Sequence, residues 1–144
     1  MKKVYTRISI MSSPEKVWAV LSDFARYSNW NPFITQITGD LHEGAMLQIT
    51  IDPPESRKAV FKPTLVKLEP NRELVWTGKL IIPGLLDGKH SFRIEHVAGN
   101  RVRFIHKEMF SGLLVQFMSS KYLKNIKKGF EQMNESLKKR VEQT

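Results

Sequence analysis

The hydrophobic pattern changes period once along this chain, and that change divides it into two parts. Beyond Ser111-Gly112, apolar residues recur at Leu114, Phe117, Met118, Tyr122, Ile126, Phe130, Met133, Leu137 and Val141. Steps of three and four put them on one face of a helix, and no proline interrupts the run. The spacing predicts one long helix from just after Gly112 to about Val141. A stripe of that length must be buried against a broad surface, because tertiary packing stabilises such a helix more than propensity does.

The preceding sequence alternates with the period of strands and is punctuated by turn residues. Lys3–Met11 is the first strand, with Val4, Ile8 and Ile10 on one face. Ser12-Ser13-Pro14-Glu15 then opens a helix: either serine can cap it, proline suits the first turn, and the glutamate favours the positive end. Val17, Trp18, Val20 and Leu21 supply its apolar face. A second short helix starts at Asp23 and ends before Asn31, where Pro32 disfavours helical geometry. Phe33–Gly39 and Ala45–Ile51 form a hairpin around Asp40–Gly44. Arg57–Glu69 is a long strand in which Pro63 cannot donate to a ladder and therefore belongs at an edge or a bulge. Apolar parity also shifts there, from Phe61 and Leu65 to Val66 and Leu68, which predicts a bulge. Glu73–Leu80 returns, Ile81–Gly88 is an apolar loop, and Lys89–Val97 and Arg101–Phe110 form the last hairpin. The order is β-α-α-β6-α, an α+β fold in one domain over residues 1–144.

The last hairpin carries the candidate chemistry. His90, Phe92 and Ile94 share one face of its first strand; Val102, Phe104, His106, Glu108 and Phe110 share a face of the second. Matching the aromatic faces through a three-residue turn, Ala98-Gly99-Asn100, sets Ile94 opposite Phe104, Phe92 opposite His106 and His90 opposite Glu108. His90, His106 and Glu108 then become neighbours on an aromatic wall. Buried polar groups need partners, so the set is either a self-satisfied pair that fixes register or a polar anchor facing a pocket. Two histidines and a glutamate can ligate metal, but their spacing matches no helical zinc motif. No nucleophile accompanies them. No metal and no cofactor are expected.

Composition narrows the classes. Hydrophobic residues form 41% of the chain, as in globular proteins. The absence of cysteine excludes disulfides, thiol catalysis and thiolate metal sites. No apolar run is long enough to span a bilayer, and the first residues alternate as a strand does and not as a signal peptide does. A cytoplasmic location is expected. The net charge of +9 raises the question of an anionic partner. From Lys121 onward seven basic residues stand against three glutamates, mostly on the polar side of the long helix. No nucleic-acid motif accompanies them, so a solvated face is expected.

Several stretches together resemble the helix-grip fold of the SRPBCC superfamily, which includes START-type lipid-transfer domains, birch-pollen-allergen-like proteins and aromatic polyketide cyclases. They are Ser13–Trp18, Trp30–Phe33, Glu69–Gly78, Pro83–Phe92, Glu108–Leu114 and Gly129–Lys138, and they span nearly the whole chain. The chain looks like the small bacterial members labelled polyketide cyclase-like. The resemblance implies a seven-stranded antiparallel sheet wrapped around the C-terminal helix, two short helices closing one end, and a cavity between sheet and helix. It places the loops Asp52–Arg57 and Ile82–Gly88 at the cavity entrance. No recognisable set of cyclase catalytic residues is present.

The resulting expectation is a binder, or transporter, of a hydrophobic or amphipathic small molecule. Its walls would be Trp30, Phe33, Phe61, Trp76, Phe92, Phe110, Leu114, Met118 and Tyr122, with His90, His106 and Glu108 as the polar anchor. The alternative is a cyclase, dehydratase or isomerase acting on a polyketide-like or aromatic substrate, with Glu108 and a histidine moving protons. A further alternative is a protein- or membrane-interaction module using the basic surface. The small molecule is the expected partner, with transient membrane contact allowed, no nucleic acid, and a monomer or weak dimer.

Overall fold

A computed structural model describes residues 1–79 and 84–143. Strand β1 (Lys2–Ile10) leads into α1 (Pro14–Leu21), a single 3-10 turn at Phe24–Arg26 and α2 (Tyr27–Trp30). Then come β2 (Ile34–Thr38), β3 (Gln48–Ile51), β4 (Ala59–Phe61), β5 (Thr64–Glu69), β6 (Glu73–Lys79), β7 (Asp87–Ala98) and β8 (Arg101–Ser111). The chain closes with α3 (Ser120–Glu142).

All pairings are antiparallel. Five strands form one sheet in the order β1-β8-β7-β6-β5, and three form a second in the order β2-β3-β4. Among the described residues the expected seven strands are therefore eight, split five and three. The reason lies in the stretch read as one strand from Arg57 to Glu69. It breaks at Lys62-Pro63, because proline has no N–H to continue the ladder. The break is bridged locally: Leu47 donates its N–H to the Pro63 carbonyl at 2.8 Å, and Leu65 donates to Ala45 at 2.9 Å. Residues 45–47 thus leave β2, their expected partner, and join the two sheets at a corner. The bulge predicted from the parity shift is present, between Leu65 and Lys67.

The long helix also starts later than its apolar spacing suggests. Residues 113–118 form a connector with one 3-10 turn, and Ser119 caps α3 by accepting the Tyr122 N–H at 3.0 Å. Leu113 and Leu114 instead donate their N–H groups to the carbonyls of Gly84 and Leu85. That pairing turns the chain at Gly112, whose φ of +112° lies where residues with a side chain are strained. Phe117, counted with the apolar stripe by periodicity, is consequently 74% exposed. The remaining stripe is buried at Ile126, Phe130, Met133, Leu137 and Val141 against the concave side of the sheets. The basic residues Lys121, Lys124, Lys127, Lys128 and Lys139 are exposed on the other side. At the opposite end, Ser13 caps α1 through Lys16 N–H, with Pro14 in the first turn as expected.

Candidate functional site

The inward faces of β7 and β8 meet in the register that alternation predicted: Ile94 opposite Phe104, Phe92 opposite His106, His90 opposite Glu108. Strand β1 lies on the far side of β8, with Thr6 opposite His106 and Val4 opposite Glu108. These pairings place His90, His106 and Glu108 beside one another under α3.

They form one connected chain of polar contacts. Nε2 of His90 lies 2.8 Å from Nε2 of His106. Nδ1 of His106 lies 3.0 Å from Oδ1 of Asn134 on α3. The Asn134 amide donates to Thr6 Oγ1 at 2.9 Å, and the Thr6 hydroxyl donates to the His106 carbonyl at 2.9 Å. At the other end, Nδ1 of His90 is 3.5 Å from Oε1 of Glu108. Rings hold the imidazoles in place. Phe130 stacks on His106 at 3.7 Å with 7° between planes, and Trp76 stacks on His90 at 4.8 Å. Burial, and then the neighbouring His90, hold His106 well below the ordinary imidazole pKa, against the opposing effect of Asn134. Tyr122 of α3 faces the acidic end: burial, and then the Glu108 charge, push its phenol up.

Glu108 opens onto a crevice of about 30 Å³ lined by Ile49, Phe61, Pro63, Trp76, Gly78, Gly88 and Glu108. Its floor is bare backbone, because Gly78 pairs with Gly88 across β6 and β7 on the inward face. A Cβ on Gly88 would stand 2.7 Å from Glu108 Oε2, closer than such atoms approach, so the carboxylate occupies the space that a side chain would take. The crevice holds a water or a methyl-sized group as it stands. Wider grooves lie elsewhere: one of about 780 Å³ runs mainly over charged side chains, one of about 670 Å³ adjoins the crevice at Gly78 and Gly88, and one of about 320 Å³ lies between β1 and α3; none is lined by His90, His106 or Glu108.

The structure brings together only part of the expected wall. Phe61, Trp76 and Glu108 line the crevice, His90 stacks on Trp76 behind it, and Tyr122 is half-buried on α3 outside its lining. Phe33 and Phe92 are fully buried and fill the space where an open cavity was expected. Phe33 packs edge-on to Phe130 at 5.4 Å, and Phe92 lies 4.7 Å from His106. Phe110 is buried opposite Gly88. Trp30 meets Tyr27 at 5.1 Å, away from the crevice. Leu114 and Met118 sit half-buried in the connector before α3. Of the loops expected at an entrance, the first is tied down: Ser56 accepts a bond from Asn125 of α3 at 3.0 Å. In the second, residues 82 and 83 lie outside the described residues.

Two members of the polar chain, Thr6 and Asn134, escaped sequence reasoning although a signal existed. Thr6 shares the parity of Val4, Ile8 and Ile10. Asn134 falls within the apolar stripe, between Phe130 and Leu137. A polar residue at an inward position of each element announces a buried partner. Among the described residues no group of three or more His, Cys, Asp or Glu is placed to hold a metal ion. Among them, too, no helix is long and apolar enough to cross a membrane.

The fold is that of a helix-grip protein, with His90, His106 and Glu108 side by side on the inward face of its larger sheet. Residues 1–142 match the family described as polyketide cyclase/dehydrase and lipid transport, and the chain belongs to that family. No curated protein sequence matches it. Among solved structures, a START superfamily protein from Mycobacterium smegmatis is similar at TM-score 0.76 and 18% identity, covering 98% of this chain and 97% of that one. A hypothetical protein from Helicobacter pylori gives TM-score 0.79 at 16% identity, covering 97% and 88%. An aromatase/cyclase from Streptomyces gives 0.73 at 11% identity, covering 98% and 93%. At these identities the likeness is one of fold.

Proposed function

We propose that this protein binds a hydrophobic or amphipathic small molecule, with its polar end on Glu108 and its apolar body against Ile49, Phe61 and Trp76. One observation carries this reading: a carboxylate backed by a buried imidazole stands at the floor of an otherwise apolar crevice. Apolar walls with a few convergent polar groups are the usual make-up of small-molecule sites. The family description, which includes lipid transport and cyclase or dehydrase activity, agrees with it. Binding has to widen the crevice, and β4 is the wall least held. It has three residues, pairs only with β3, and stands at the edge of the smaller sheet.

The test is titration with 1-naphthol, followed by calorimetry and by Trp76 fluorescence. Saturable binding is expected in the wild type, about tenfold weaker or worse in Glu108→Ala and Gly88→Leu, with unfolding midpoints much less affected. Equal affinity in all three proteins would remove the site.

The polar chain from His90 to Asn134, with Glu108 3.5 Å from its crevice end, favours a second reading, a cyclase, dehydratase or isomerase in which Glu108 moves a proton of the bound molecule. A bell-shaped pH–rate profile on an aromatic polyketide-like substrate, lost in Glu108→Gln, is its expected signature. Unchanged turnover in that variant would end it.

A further inference from the structure

We infer that Thr6 and Asn134 are positioning residues that give the polar chain a fixed direction, so that His90 is held with its Nε2–H toward His106 and its Nδ1 lone pair toward the crevice end. It follows that the crevice end offers its ligand acceptors, suited to the donating hydroxyl of a neutral molecule. The inference rests on the binding reading only for the ligand; the proton placement stands on geometry alone.

The direction follows from one fixed point. A backbone carbonyl only accepts, so the Thr6 hydroxyl must donate its hydrogen to the His106 carbonyl. That hydroxyl then has only lone pairs left for Asn134, which therefore turns its NH2 toward Thr6. The amide oxygen of Asn134 is left facing His106 Nδ1, so that nitrogen carries a hydrogen. A neutral His106 with Nδ1–H has a bare Nε2, and the 2.8 Å contact there must be filled by a hydrogen on His90 Nε2. With its hydrogen on Nε2, His90 turns the Nδ1 lone pair toward Glu108 Oε1, 3.5 Å away, so the crevice end presents acceptors only.

One other arrangement preserves every contact: a second hydrogen on His106 instead. That places a cation in a side chain with no exposure, stacked on Phe130. Burial there disfavours the charged ring and keeps His106 as the neutral Nδ1–H tautomer. The groups facing the pair are Tyr122 from α3, Trp76 from β6, and Val4 and Thr6 opposite Glu108 and His106 on β1. Phe33, between the sheet and α3, flanks His106. Among the described residues the only basic side chain paired with Glu108 is His90. No lysine or arginine there compensates a second negative charge. A carboxylate or phosphate ligand would meet the Glu108 charge uncompensated, whereas a hydroxyl can donate to Glu108.

Long-range proton–nitrogen NMR of the histidine-labelled full chain tests the proton placement without any ligand. Near pH 7.5, above the ordinary imidazole range of about 6.5, His106 is expected as the Nδ1–H tautomer and His90 as protonated at Nε2. A His106 in the Nε2–H tautomer would overturn the inference. Thr6→Val keeps the shape and removes the fixed point. It is expected to mix the His106 tautomers and to weaken 1-naphthol binding by about fivefold or more, and Thr6→Ser is expected to restore both. A Thr6→Val protein with unmixed tautomers and unchanged affinity would show that Thr6 does not position the chain. For the ligand class, 1-naphthoate is expected to bind about tenfold more weakly than 1-naphthol; equal or tighter binding would refute the neutral-ligand assignment. Expected tautomers with no naphthol binding would defeat the proposed function and leave the proton placement intact. Binding with reversed tautomers would do the opposite.

Discussion

The two ends of the concave face are built on the same strands and differ in what their paired positions carry. At the closed end, Phe92 faces His106 and Ile94 faces Phe104, and Phe33 and Phe130 fill the space beneath α3. At the open end, Gly78 faces Gly88, and the space above them holds one carboxylate. Strand curvature alone therefore does not make a pocket here. Side-chain volume at a few inward positions does, and the rings at the closed end pack as tightly as protein interiors do. The polar chain runs from one end to the other, which is why it can tie a buried histidine to an accessible carboxylate.

The closed end should break first and hardest. Phe130→Ala removes the ring that stacks on His106 and meets Phe33, and is expected to cost about 3–5 kcal/mol in urea unfolding. A loss under about 1 kcal/mol would mean that this end is not the well-packed one. Gly129→Ala comes next. Its Cβ would stand 2.3 Å from the Phe33 ring, and overpacking of that kind costs about 1–3 kcal/mol.

Acid sharpens the same contrast. The folded His106 pKa lies below its unfolded value, so the unfolded chain takes up the proton first. This contribution is fully present above about pH 6.5 and is lost as pH falls below that value, at up to ~1.4 kcal/mol per pH unit. Denaturation curves at several pH values should show the slope, and His106→Phe should flatten it by one proton. An unchanged slope would mean that His106 titrates alike in both states.

At the open end, Gly88→Ala is expected to change stability by less than about 1 kcal/mol, because only the end of the Glu108 side chain must give way. Its effect should appear in binding, where displacing the carboxylate is expected to weaken 1-naphthol about tenfold. A large stability loss with unchanged binding would reverse the assignment of the two ends.

Much of this was legible beforehand. Alternation in the last hairpin and a three-residue turn were enough to set His90 opposite Glu108 and Phe92 opposite His106, because side chains two apart share a face. The bulge near Val66 was visible as a parity shift. The start of the long helix was not. Leu114, Phe117 and Met118 keep a helical period, but the backbone of Leu113 and Leu114 pairs with Gly84 and Leu85 and delays the helix to Ser120. Periodicity reports which residues could share a face and carries no information about competing hydrogen bonds.

What the sequence determined by itself, then, was local and periodic: a run of strands between two short helices and a long one, the facing residues of the hairpin, the apolar stripe of the helix, and the exclusion of thiol chemistry. Tertiary structure decided how the sheets divide at Pro63, which rings fill the concave face, and that Thr6 of β1 and Asn134 of α3 meet His106. The last of these joins Thr6 and Asn134, 128 positions apart in the chain. Volume filling and hydrogen-bond satisfaction are properties of the assembled interior, and no stretch of the chain specifies them alone.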